Sequence, residues 1–133
     1  MIRKQENFSV ICPIDCGNAP KKQLLKDFTI ALLQNQLDYC YEWITDNIVW
    51  ELVGDKRLEG KKEWLAFFEE TNYRGIQELH IHNIITHGNT ASLNGTIYFD
   101  NGQKVAFCDV YNFLGFGKPA KIKSMTSYVI QLP

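Results

Sequence analysis

The sequence predicts an α+β domain in which helices pack on one face of a mainly antiparallel sheet. Three observations carry this. Apolar residues recur at helical spacing in the first half of the chain, and from Ile76 onward only strand-length runs and turns occur. Between two of those runs stands Asp100-Asn101-Gly102, a strong hairpin signal.

The elements follow in order. Residues 1–17 show no clean period and contain Pro13 and Gly17, so they read as an extended arm with a short strand near Phe8 to Cys12. Residues 18–133 form one domain. Asn18 is placed to cap a first helix and Pro20 to open it, with Leu24, Leu25, Phe28, Ala31 and Leu32 as its apolar stripe and an end near Asn35. A second, short helix spans Leu37 to Ile44. Asp46 to Val53 then changes to strand formers, closed by a turn at Gly54-Asp55. After Gly60 a third helix runs from Lys61 to Tyr73, with Trp64, Leu65, Phe67 and Phe68 on its apolar side and Gly75 beyond its end. Strands follow at Gln77 to His87, Thr90 to Phe99, Gln103 to Leu114 and Ile122 to Leu132.

At 133 residues the chain can bury a core without disulfide or metal staples. Fourteen basic against fifteen acidic residues give a net charge of −1, which offers no cation surplus for nucleic acid. No apolar run approaches the length of a membrane span, and no secretory segment is visible, so a cytoplasmic setting is expected. In that setting Cys12, Cys16, Cys40 and Cys108 read as free thiols, mostly buried. Cys12 and Cys16 could supply two metal ligands, but no second local pair completes a tetrahedral site, so no metal is expected. A phosphate-cradling glycine loop, a Ser-His-Asp grouping and a nucleotide fingerprint are absent, and no cofactor is expected.

The run Asn47-Ile48-Val49-Trp50-Glu51-Leu52-Val53-Gly54, then Gly60-Lys61 opening a helix, resembles the nuclear transport factor 2-like superfamily. Within it, the polyketide cyclase-like and ketosteroid isomerase-like branches are the nearer ones. Phe107-Cys108-Asp109-Val110-Tyr111-Asn112-Phe113, a glycine loop, Lys121-Ile122 and Ser127-Tyr128 agree with the same pattern. The resemblance covers about Pro20 to Leu132. It implies a cone-shaped roll of three helices against a strongly curved sheet, a mostly apolar cavity, and a homodimer through the outer sheet face.

Two carboxylates are candidate catalytic groups. Glu51 falls where isomerase-like members carry their proton-shuttling carboxylate. Strand alternation groups it with Val49, opposite Ile48 and Trp50, and the resemblance turns the Val49–Glu51 face inward. Facing an apolar cavity, such a carboxylate would become a better base near neutrality. The alternative is a rim glutamate paired with Lys56 or Arg57. Asp109 shares a strand face with Phe107, Tyr111 and Phe113, an odd place for a charge unless something uses it. It also matches the isomerase's oxyanion-hole aspartic acid, a standard case of a carboxyl group kept protonated by an apolar site. The tyrosines that complete that oxyanion hole are missing, their positions holding Asp27, Trp43 and Phe68, which argues against steroid isomerase activity itself. Expected pocket residues are Trp43, Val49, Phe68, Phe107, Tyr111, Met125 and Ser127. His80 and His82 share a face with Glu78, a weak metal or general-base pattern that becomes a surface or dimer feature if that face is outward.

The function expected is a small-molecule pocket protein for an apolar or carbonyl-containing compound, acting as a cofactor-independent isomerase or cyclase by carboxylate proton transfer. The alternatives are a non-catalytic small-ligand binder or a protein-interaction module.

Overall fold

A computed structural model of the chain describes residues 8–13, 19–115 and 120–133. The elements are β1 (Ser9–Ile11), α1 (Pro20–Leu33), α2 (Leu37–Glu42), β2 (Ile44–Leu52), β3 (Lys56–Glu59), α3 (Lys61–Thr71), β4 (Ile76–His87), β5 (Thr90–Phe99), β6 (Lys104–Phe113) and β7 (Ile122–Leu132). The strands form one curved, unclosed sheet in the order β1-β4-β5-β6-β7-β2-β3. Pairing is antiparallel except where β1 meets β4 and β2 meets β7. This is the α+β roll that the order of elements predicts.

Local chemistry sets the boundaries. Pro20 opens α1, where a missing N–H costs nothing. The proposed cap Asn18 lies outside the described residues, and Ala19 occupies the capping position. Helix α3 stops at Thr71 because Asn72 adopts φ 42, a left-handed conformation that asparagine tolerates. Tyr73 therefore leaves the helix that the sequence assigned to it. β3 is an addition to the sequence-based elements: of its four residues only Leu58 is buried, so it carries no alternating signature. It pairs with β2 at Trp50↔Leu58 and Glu51↔Arg57.

Alternation along the strands divides the sheet into two faces. The inner face carries Leu79, Leu93, Ile97, Phe107, Tyr111, Phe113 and Met125, all buried against Leu25, Phe28, Trp64 and Phe68 of the helices. Burying one such side chain contributes about 1.5–3 kcal/mol. β4 shifts register between Ile76 and Glu78 and again between Ile81 and Asn83, the second next to the Ile81–Gly95 pair, and such irregularities bend a strand. A Cβ at Gly95 would collide with the His80 carbonyl, so only glycine allows the strands to approach this closely.

Among the cysteines, Cys40 and Cys108 are free, and burial pushes the Cys40 thiol up to about 12. Cys12 is disulfide-bonded, which departs from the expectation of free thiols; Cys16 lies outside the described residues. Among the described residues no helix is long and apolar enough to cross a membrane.

Candidate functional site

Between the inner sheet face and the helices lies a cavity of about 230 Å³. Helix α1 lines it with Phe28, Thr29, Leu32 and Leu33, one face of a helix at i, i+1, i+4 and i+5. Phe68 comes from α3 and Tyr73 from the segment after it. β2 gives Trp50 and Leu52, and β5 gives Ile97 and Phe99. β6 contributes Val105, Phe107, Asp109 and Tyr111, and β7 contributes Met125, Ser127 and Val129. These are alternate residues on each strand, as the pleat requires. The lining closes around Asp109 and opens toward Val129, which is 60% exposed.

Asp109 is the polar centre. Protein surrounds it, and the surface it retains is cavity wall. Its cross-strand partner is Ser127, whose Oγ–H donates to Asp109 Oδ1 at 2.6 Å. Trp50 Nε1–H donates in turn to Ser127 Oγ at 2.7 Å. An indole N–H only donates, so the Ser127 oxygen accepts from Trp50 and the Ser127 proton is committed to Asp109. Oδ1 is thereby an acceptor in every protonation state. The proton of a neutral Asp109 sits on Oδ2, the carboxyl oxygen with no hydrogen-bond partner among the described residues. Burial raises the Asp109 pKa from 3.8 to about 6, with the Ser127 hydrogen bond pulling in the opposite direction. Among the described residues no lysine, arginine or histidine lines the cavity to offset that burial.

Two phenols share the space. The Tyr111 hydroxyl lies 3.4 Å from Thr29 Oγ1. The Tyr73 backbone is clamped by Asn35, which accepts from Tyr73 N at 3.0 Å and donates to Tyr73 O at 2.9 Å. Two residues on, Asp100 N donates to Gly75 O at 2.8 Å, tying the same segment to the β5–β6 hairpin. Burial raises both phenols above their ordinary value, and the Asp109 charge adds to this, so both stay protonated.

The sequence-predicted residues divide. Asp109, Phe68, Phe107, Tyr111, Met125 and Ser127 line the cavity. Glu51, Val49 and Trp43 do not. Glu51 lies on the outer face, 41% exposed, with Arg57 Nη1 at 3.4 Å, which is the alternative that the sequence left open. The alternation placing Ile48 with Trp50 and Val49 with Glu51 is correct, but the inward face is the other one. Burying Ile48, Trp50 and Leu52 removes far more apolar surface than burying Val49, and leaves Glu51 in water. Trp43 ends α2, where its carbonyl accepts from Ile122 N at 2.8 Å, and it packs on the core outside the cavity lining. His80 and His82 are on the outer face: His80 Nε2 meets Glu78 Oε1 at 2.8 Å, and His82 Nε2 meets Thr96 Oγ1 at 3.0 Å. Among the described residues no group of three His, Cys, Asp or Glu side chains is placed to hold a metal. Sequence reasoning missed Trp50 and Tyr73. The first was legible as the largest member of an apolar alternating set; the second required knowing where α3 ends.

No protein-family profile and no curated protein matches the chain. Solved structures do. A putative SnoaL-like polyketide cyclase from Shewanella denitrificans superposes with a TM-score of 0.69 at 12% identity, covering 84% of this chain and 92% of that one. A putative ketosteroid isomerase from Kribbella flavida gives 0.68 at 14% identity over 84% and 78% of the two chains. An LEH-like epoxide hydrolase from M. tuberculosis gives 0.64 at 20% identity over 81% and 80%. At these identities the likeness shows a shared fold, the nuclear transport factor 2-like roll.

Proposed function

We propose that this chain, a nuclear transport factor 2-like roll, is a small-molecule enzyme in which Asp109, and not Glu51, moves the proton. The observation that carries the reading is the Trp50–Ser127–Asp109 chain, which engages one oxygen of a carboxyl group lining a largely apolar cavity and leaves the other without a partner among the described residues. The volume fits a compound of about one or two rings, since about 150 Å³ already admits benzene.

With a pKa of about 6, Asp109 is mainly ionised at neutral pH and acts as a base. Oδ2 takes a proton from a carbon next to the substrate carbonyl, the electron pair moves onto the carbonyl oxygen, the carboxyl exchanges its proton with solvent, and Asp109 then returns a proton to a carbon of the enolate. The Tyr73 and Tyr111 hydroxyls are the donors available to the developing oxyanion. The cyclase, isomerase and hydrolase descriptions of structures sharing the fold are consistent with such chemistry. The exposed Tyr128 and Ile130 on the outer face support pairing of two copies there, which sedimentation would test.

A direct test is hydrogen–deuterium exchange at the α-carbon of 1-indanone in D₂O, followed by proton NMR. The wild type and Glu51→Gln should both accelerate exchange, and Asp109→Asn should not. Acceleration that survives in Asp109→Asn, or a wild type no faster than buffer, would overturn the reading.

A further inference from the structure

We propose that the cavity also binds small apolar amines as ammonium ions, with Asp109 Oδ2 as the counter-ion and aromatic rings as the walls. This takes over the reading of the cavity as a ligand site and adds a ligand class to it.

The geometry starts from an incomplete pairing. Asp109 has one hydrogen-bond partner among the described residues, Ser127, and that bond uses Oδ1 alone. A buried carboxylate is costly unless its other oxygen is also met by a donor or a cation. Among the described residues the cavity wall supplies no cation. The titratable groups facing Asp109 are Tyr73, from the segment after α3, and Tyr111, on its own strand; both are held neutral. The Cys108 thiol, next along the chain on the opposite face, is likewise raised toward its neutral form by burial and by Asp109. Across the sheet Ser127 and from α1 Thr29 offer only hydroxyls. Among the described residues nothing around the carboxylate is positively charged, so a cation for the second oxygen would come with the ligand.

The wall suits a cation and rejects an anion. Phe28, Trp50, Phe68, Tyr73, Phe107 and Tyr111 all line the cavity, and their ring faces carry negative potential. Trp50 and Phe68 pack with ring centroids 4.9 Å apart, and Phe28 meets Tyr111 edge-on at 6.5 Å. A carboxylate or phosphate ligand would face Asp109 across a space with no positive group to hold it. An uncharged ring would gain the apolar contacts but leave Oδ2 with, at most, a single neutral donor. An amine in this position would also occupy the oxygen needed as a base, and so would compete with substrate.

The probes are benzylamine, benzyl alcohol and phenylacetate, matched in size, titrated into the full chain and followed by NMR shifts of the cavity methyl groups. Benzylamine should bind more tightly than benzyl alcohol at pH 7.5, with phenylacetate the weakest. Because benzylamine stays protonated across this range, its affinity should fall roughly tenfold at pH 5, as Asp109 protonates. Benzyl alcohol should change little. Asp109→Asn should remove both the preference and the pH dependence, while Glu51→Gln should keep both. Equal affinity for amine and alcohol, or an amine affinity independent of pH, would sink the ammonium proposal and leave the ligand cavity standing. Failure of every probe to reach the cavity methyls would remove the cavity as a ligand site; indanone exchange separately decides whether Asp109 acts as a base.

Discussion

Asp109→Asn should stabilise the fold at neutral pH. In the wild type the Asp109 pKa is about 6 in the folded chain against 3.8 as the ordinary value. A raised carboxyl pKa means that the folded state holds its proton more tightly than the unfolded state. Below the unfolded value both states are protonated, and burial of the acid costs nothing extra. As pH rises from about 4 to about 6, the unfolded chain ionises first and the fold loses stability, reaching its full penalty above the folded pKa. A shift of about two units corresponds to about 3 kcal/mol. Asparagine keeps the shape of the neutral acid and does not titrate. In paired urea melts from pH 3.5 to 8, the variant should gain on the wild type by up to about 3 kcal/mol, nearly all of it between pH 3.5 and 7. In thermal melts this is roughly 10 °C. The comparison cancels every other carboxylate in the chain. A difference that does not vary with pH, or a wild type more stable at pH 7.5, would show that Asp109 has a counter-charge or open solvent beside it.

Three further outcomes follow from the same geometry. Ser127→Ala removes the hydrogen bond that lowers the Asp109 pKa and strands the Trp50 indole N–H, so the carboxyl should titrate higher in ¹³C NMR and the fold should lose about 1–3 kcal/mol. Glu51→Gln breaks only a half-exposed ion pair with Arg57, so its denaturation midpoint should stay within about 0.5 kcal/mol of wild type. Gly95→Ala forces a methyl group into the His80 carbonyl, and should cost about 3 kcal/mol or more, or abolish soluble expression, whereas Gly54→Ala, with open space around it but a φ of 81, should cost only about 1–2 kcal/mol of left-handed backbone strain.

Much of the fold was legible because its signals are periodic. The stripe through Leu25, Phe28 and Leu32 and the Asp100-Asn101-Gly102 turn each reflect one local rule, and local rules survive without tertiary knowledge. β3 was illegible for the converse reason: a four-residue edge strand with one buried side chain leaves no period to read. Asp109 stood out because a charge among Phe107, Tyr111 and Phe113 contradicts the pattern around it, and the structure puts that residue in the cavity wall. Glu51 shows how alternation can be right and orientation wrong. The period groups residues into faces, but only the total apolar area decides which face turns inward, and Ile48 with Trp50 outweighs Val49. Tyr73 depended on a left-handed Asn72, a conformation that the sequence permits without requiring.

The clamp on the segment after α3 makes the cavity observable from the backbone. Tyr73 N–H is held by a side chain, Asn35 Oδ1, and Asp100 N–H by the Gly75 carbonyl, so neither amide depends on a regular helix or strand ladder. Their exchange with solvent therefore reports how often this edge of the cavity lifts, separately from global unfolding. Should a ligand fill the space behind Tyr73, these two amides would slow together while the sheet amides kept their rates. Two protons would then report on one wall of the cavity.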